Sequence, residues 1–209
     1  MPSLRVWVWA LPILLYAIFW LWYTQLSGPM TQNDVDEIVA ALEAEGAPPE
    51  TVDLMRRFFE EDDGRSVFMV NLLDMEDDPI ELPATGPGAS ADALMGHYME
   101  YMYPALFARA SHPVFFGQAV NDSIDIVGIE GAESWETAAL MRYRSRRDLW
   151  EISSHPSFAE RHEYKIASLE KTIAFPVRPQ IFFGDPRLIL FLIMITVLSM
   201  LDNWVLRKR

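Results

Sequence analysis

Cysteine is absent from the 209 residues, so disulfides and thiolate metal sites are excluded while an oxidising compartment stays permitted. Basic charge is scarce as well. Residues 27–186 carry 29 Asp and Glu against 12 Lys and Arg, a net of −17. A surface of that sign repels phosphate backbones and anionic headgroups, which argues against nucleic acid as a partner and favours solubility. The usual catalytic signatures are missing: there is no G-x-S-x-G, no phosphate-cradling glycine loop, no H-x-x-x-H and no H-E-x-x-H. No internal repeat divides the chain, and its length suits one domain with accessories.

What is present in excess is apolar sequence at both ends. Val6 to Tyr23 contains no charge and would rise about 27 Å as a helix, close to the hydrocarbon thickness of a bilayer. Trp7 and Trp9 stand at one end of it and Trp20, Trp22 and Tyr23 at the other, the aromatic-belt pattern of a span. The competing assignment is a cleaved signal peptide, but the stretch is long and Trp-rich, and YTQLSGPM offers no A-x-A-like site. A second run, Leu188 to Leu206, ends in Arg207-Lys208-Arg209. Asp202 falls near its end and is expected to reach headgroup water; the alternative is a buried polar contact to a partner helix. With Arg5 before the first span and the basic cluster after the second, the positive-inside rule puts both termini in the cytoplasm. The acidic middle then lies outside, in the periplasm for a bacterial inner-membrane protein.

Between the spans, TQNDVDEIVAALEAEG has acids in its first turn and closes on Gly46, and a second short helix starts at Pro48-Pro49. These two helices read as a neck. SVFMVNLLDM (66–75) reads as a central strand, and the Pro- and Gly-rich segment after it as a loop. A helix is expected from about Ala91 to Ala110 with a kink at Pro104. Strands are expected at His112–Val120, across IDIVGIEG and at Thr137–Tyr143; a helix, interrupted at His155-Pro156, over 146–172; and a closing strand at Ile173–Val177. The plan is α+β, a ferredoxin-like βαββαβ domain between two transmembrane helices. The divisions are residues 1–28 (anchor), 29–64 (neck), 65–180 (α+β domain) and 181–209 (second span and basic tail).

MVNLLDM, a Tyr-rich first helix, the glycine in VFFGQAV, and WETAALMRYRS followed by HPSFAERH occur in that order. Over roughly residues 64–178 the chain thereby resembles the small ferredoxin-like proteins of unknown function marked by an N-L-L strand and an R-Y-x-S turn, within the dimeric α/β-barrel superfamily. Arg144 stands where that family usually has proline after the R-Y pair. The resemblance implies a fold and a homodimer but no activity, because one fold hosts many functions; the two anchors suggest docking of the spans against each other or against a larger membrane complex.

Asn71, Tyr98, Gly117, Arg142, Tyr143, Ser145 and Arg161 occupy the family's recurring positions. The expected ligand pocket lies between the sheet and the long helices, lined by Asn71, Tyr98, Tyr101, Arg142, Tyr143 and Arg161, the arginines offering fixed positive charge to an anion. The bland alternative pairs both arginines with local carboxylates and leaves Asn71 to cap strand backbone. His97 and Glu100 have a spacing some metal sites use, and Met95, Met99 and Met102 form a helical stripe. The stripe is read as core, and no metal or other cofactor is assigned. Two functions follow: a non-catalytic, membrane-anchored accessory subunit, or a small-molecule binder or cofactor-independent monooxygenase- or isomerase-like enzyme. A closed core with paired arginines would favour the first; an open apolar cavity with unpaired ones would favour the second.

Overall fold

Strand alternation decides the layers. In the computed structural model, which describes residues 4–207, β1 (Val67–Met75) runs between β3 (Thr137–Tyr143) and β4 (Leu169–Val177), with β2 (His112–Gln118) outside β3. All neighbours are antiparallel, in the order β2-β3-β1-β4. α4 (Ala91–Ala108) joins β1 to β2, and α5 (Arg146–Ser153) with α6 (Pro156–Ala167) joins β3 to β4. This is the ferredoxin-like βαββαβ plan. Successive strand residues point to opposite faces. Val67, Met69, Met141 and Tyr143 meet Leu94, Tyr98, Met102 and Leu106 of α4 and Leu149 and Ile152 of α5, forming the main core.

Local chemistry sets the breaks. His155 caps α6, accepting from the Ser157 amide at Nδ1 over 3.1 Å, and Pro156 occupies its first turn. A residue before proline resists the helical conformation, so the expected interruption becomes two separate helices. α4 continues through Pro104 to Ala108. The expected strand over IDIVGIEG does not form. Gly128 and Gly131 take φ of +74° and +72°, incompatible with an extended ladder, and the segment closes as a loop with Ser123 donating from its amide to the Glu133 carbonyl (2.8 Å). β4 also begins four residues earlier than the apolar pattern suggested.

The chain divides into two compact units, residues 27–178 and a second made from the two ends, 1–26 with 179–209. The first includes α2 (Gln32–Ala44) and α3 (Pro49–Glu60), a hairpin with its own core of Val35, Ile38, Val39, Val52 and Phe59. A capping box starts α2: the Thr31 hydroxyl accepts from the Asp34 amide, and the Asp34 carboxylate accepts from that of Thr31. The Phe59 ring meets Trp150 of α5 edge-on at 5.9 Å.

In the second unit, α1 (Leu4–Tyr23) and α7 (Pro186–Arg207) run antiparallel, each long and apolar enough to cross a membrane. The Tyr16 hydroxyl donates to the Arg187 carbonyl (3.0 Å) at one end. At the other, Arg5 grips Asp202 through two 2.8 Å contacts. Asp202 therefore makes the helix-to-helix contact rather than the expected excursion into headgroup water. The side chains of the Arg207-Lys208-Arg209 cluster lie outside the described residues.

Candidate functional site

Between the sheet and its helices lies a cavity of about 530 Å³. Five methionines border it: Met69 and Met141 from the strands, Met95, Met99 and Met102 from α4. The helical methionine stripe belongs to the core, as expected, and also forms one wall of the cavity. Methionine is flexible and polarisable, suited to a surface that adapts to an apolar guest. Asp92 and Gly96 on α4 and Phe116 on β2 are exposed lining residues and mark where the cavity opens.

The six residues expected to share one pocket divide three ways. Asn71, Tyr98 and Tyr143 do line the cavity. Asn71 turns its amide nitrogen back to the Met69 carbonyl at 3.1 Å, leaving its oxygen as the acceptor. Tyr98 and Tyr143 are both buried, and burial raises the pKa of each phenol, Tyr143 to about 12.

Arg142 lies on the opposite face of the sheet, because it precedes Tyr143 in a strand whose residues alternate. It is 4% exposed and donates to the Ala110 carbonyl over 2.6 Å. Tyr101 and Arg161 border a separate, open groove together with Arg109 and His155. The Tyr101 hydroxyl donates to the Ile152 carbonyl (2.9 Å) and its ring stacks on His155 at 5.4 Å. Arg161 makes no ion pair among the described residues, and its Nε is buried without a hydrogen-bond partner.

The R-Y-x-S turn is now legible as four separate jobs. Arg142 faces one side of the sheet and Tyr143 the other. Ser145 caps α5, accepting from the Asp148 amide (3.0 Å) and donating to its carboxylate (2.6 Å). Arg144, in the position where the resembled family has proline, clamps that carboxylate from the other side at 2.6 Å. Gly117 lies beneath the Phe115 ring, and a Cβ there would fall 2.8 Å from the ring's far end, which would have to swing aside.

Two residues outside the expected set complete the cavity. His162 and Lys165 project into it from α6. The His162 ring stacks on Phe158 (4.8 Å), and burial, then Lys165, depresses its pKa. Lys165 is depressed by burial alone; its Nζ lies 5.8 Å from the centre of the Tyr98 ring and joins no ion pair among the described residues. The signal was available: Phe158, His162 and Lys165 follow at four- and three-residue spacing, with lysine where an apolar residue should close the stripe. His97 sits elsewhere, paired with Glu100 at 3.2 Å and packed on Tyr164 at 4.5 Å. Among the described residues no group of three or more potential ligands gathers as a metal site.

No family model and no curated protein matches the chain. Solved structures do. A protein of unknown function from Rhodopseudomonas palustris superposes with a TM-score of 0.51 at 17% identity, over 62% of this chain and 94% of its own. A dimeric protein of unknown function and ferredoxin-like fold from Bacteroides fragilis gives 0.32 at 15%, over 55% and 96%. A dimeric ferredoxin-like protein of unknown function from Thermobifida fusca gives 0.33 at 12%, over 55% and 91%. The first of these likenesses carries the fold and nothing further.

Proposed function

We propose that a ferredoxin-like domain, held at a membrane by α1 and α7, binds a small, mostly apolar molecule in the cavity between its sheet and helices. The observation that carries this reading is the cavity itself. Its volume of about 530 Å³ falls within the range of small-molecule sites, roughly 300–1,000 Å³. Its wall is mostly apolar, with a few polar groups at defined points. A domain built only to hold a complex together has no need for such a space, which forfeits packing contacts along every residue lining it. The open, mostly apolar cavity is the feature that favours the binder over the accessory subunit.

The test is occupancy. Ala139 lies on the cavity floor, and Ala139→Trp should fill the space. Native mass spectrometry of the full-length protein, extracted in mild detergent, should show a co-purifying small molecule that the filled variant lacks. Identical spectra from both proteins would reject the reading.

Anchoring through α1 and α7 has a direct check. Under the topology expected from the flanking charges, residues 29–180 lie on the periplasmic side of a bacterial inner membrane. Alkaline phosphatase fused at Ile80, in the exposed loop after β1, should then be active; an inactive reporter there reverses the orientation.

We also infer a homodimer. The sheet face away from the helices carries an unbroken apolar row across all four strands, Phe115, Leu140, Val70 and Phe175, and the two outer phenylalanines are 52% and 45% exposed. A second copy offers the self-complementary surface that a two-fold interface requires. Light scattering in detergent should return twice the protomer mass.

A further inference from the structure

Among the polar side chains at the cavity, Tyr98, Tyr143 and Lys165 are donors that join no hydrogen bond or ion pair among the described residues. Tyr98 and Tyr143 are 6% and 8% exposed, and neither phenol makes a hydrogen bond among the described residues. Burial holds both in the protonated form, so each has a hydrogen to give. The Lys165 ammonium borders the same space, 5.8 Å from the centre of the Tyr98 ring and close enough to His162 to lower its pKa. The Lys165 ammonium is half-buried, and a guest that closes the cavity over it without a countercharge would have to strip its water at a cost. The carboxylate among the lining residues, Asp92, stands exposed on the first turn of α4 and forms no ion pair with Lys165. What the cavity lacks is an anionic acceptor at its buried end.

We propose that the molecule taken up is an apolar carboxylate, with Lys165 supplying the countercharge and the Tyr98 and Tyr143 hydroxyls donating to its oxygens. This rests on the small-molecule reading above and specifies the head group. A carboxylate presents two oxygens with about four acceptor positions and a full charge, enough for three donors. An alcohol has fewer acceptor positions and no charge to set against the ammonium. The methionine wall takes the apolar remainder.

The five cavity methionines supply the probe. Full-length protein in lipid nanodiscs, labelled with 13C at the methionine methyls, is titrated with octanoate and with octan-1-ol. Both should shift Met69, Met95, Met99, Met102 and Met141, and octanoate should bind at least about tenfold more tightly, the worth of a charge-assisted bond. Lys165→Met should erase that preference and leave the octanol affinity within about twofold. Equal affinities in the unaltered protein, or a preference that survives Lys165→Met, overturn the head-group assignment while the cavity reading stands. The absence of any methionine shift with either ligand overturns both. Should Lys165→Met fail to fold, octylamine on the unaltered protein decides: binding weaker than octanol supports the assignment, and binding as tight or tighter overturns it.

Discussion

Two faces of one domain treat charge in opposite ways. At the start of α5, Arg144, Arg146 and Arg147 are each answered. Arg144 clamps Asp148 at 2.6 Å. Arg146 donates to the Phe58 carbonyl, covers the Phe58 ring at 4.6 Å and lies 3.7 Å from Asp62. Arg147 binds Asp34 through two 2.8 Å hydrogen bonds. These contacts tie the α2–α3 hairpin to the sheet domain. Around the cavity, the buried Tyr98 and Tyr143 and the half-buried Lys165 join no hydrogen bond or ion pair among the described residues. The seam uses polar groups for cohesion, whereas the cavity keeps them unmatched. Unmatched groups are tolerated where function needs them, and offset elsewhere.

The comparison can be broken at three points. Phe59→Ala should have the largest effect. The ring is wholly buried between the hairpin core and Trp150, and its loss should cost about 3–5 kcal/mol, read as a fall in thermal midpoint. A marginal change would mean that the hairpin is not docked through this ring.

Arg147→Ala should cost less, about 1 kcal/mol, because the pair is partly exposed and screened. It should also change the acid response. Arg147, and then Thr31, hold the Asp34 carboxyl well below the usual range. A carboxylate depressed in the folded state contributes stability that is complete above its unfolded pKa, near 4, and is lost as pH falls towards its folded value. Hydrogen exchange of α2 should therefore stay slow down to about pH 4 and quicken below it, and Arg147→Ala should flatten that response. An unchanged acid profile in the variant would remove Asp34 from the account.

Lys165→Met should have the smallest effect and the opposite sign. Replacing a half-buried ammonium that joins no ion pair among the described residues with an apolar chain of similar length should raise the stability of the empty protein by about 0.5 kcal/mol. A loss of stability would place Lys165 with the structural charges and erase the contrast between the two faces.

The seam and the cavity also differ in how far they could be read beforehand. Elements set by local chemistry were legible. β3 runs from Thr137 to Tyr143 as expected, and Thr31 starts a helix because hydroxyl, acid and apolar spacing are all within one turn. The seam was not legible, since Arg146 and Arg147 find partners 88 and 113 residues away and nothing nearby names them. For the cavity, the helical methionine stripe was visible but its neighbour was not, so wall and core looked alike. Arg142 and Tyr143 were placed in one pocket although adjacent residues of a strand face apart, an error that periodicity alone could have corrected. Lys165 belongs to no motif, and its place at the cavity depends on how α6 lies against α4.

The latch between Arg5 and Asp202 sets an order of events during synthesis. Its halves are 197 residues apart, so at ordinary translation rates roughly 10–40 s separate their appearance. If the helices span a bilayer as proposed, α1 must sit in lipid alone for that interval while the acidic segment is threaded across. The pair can close only after α7 has been made. A chain truncated before α7 leaves Arg5 without this counterion and α1 without the helix that grips it.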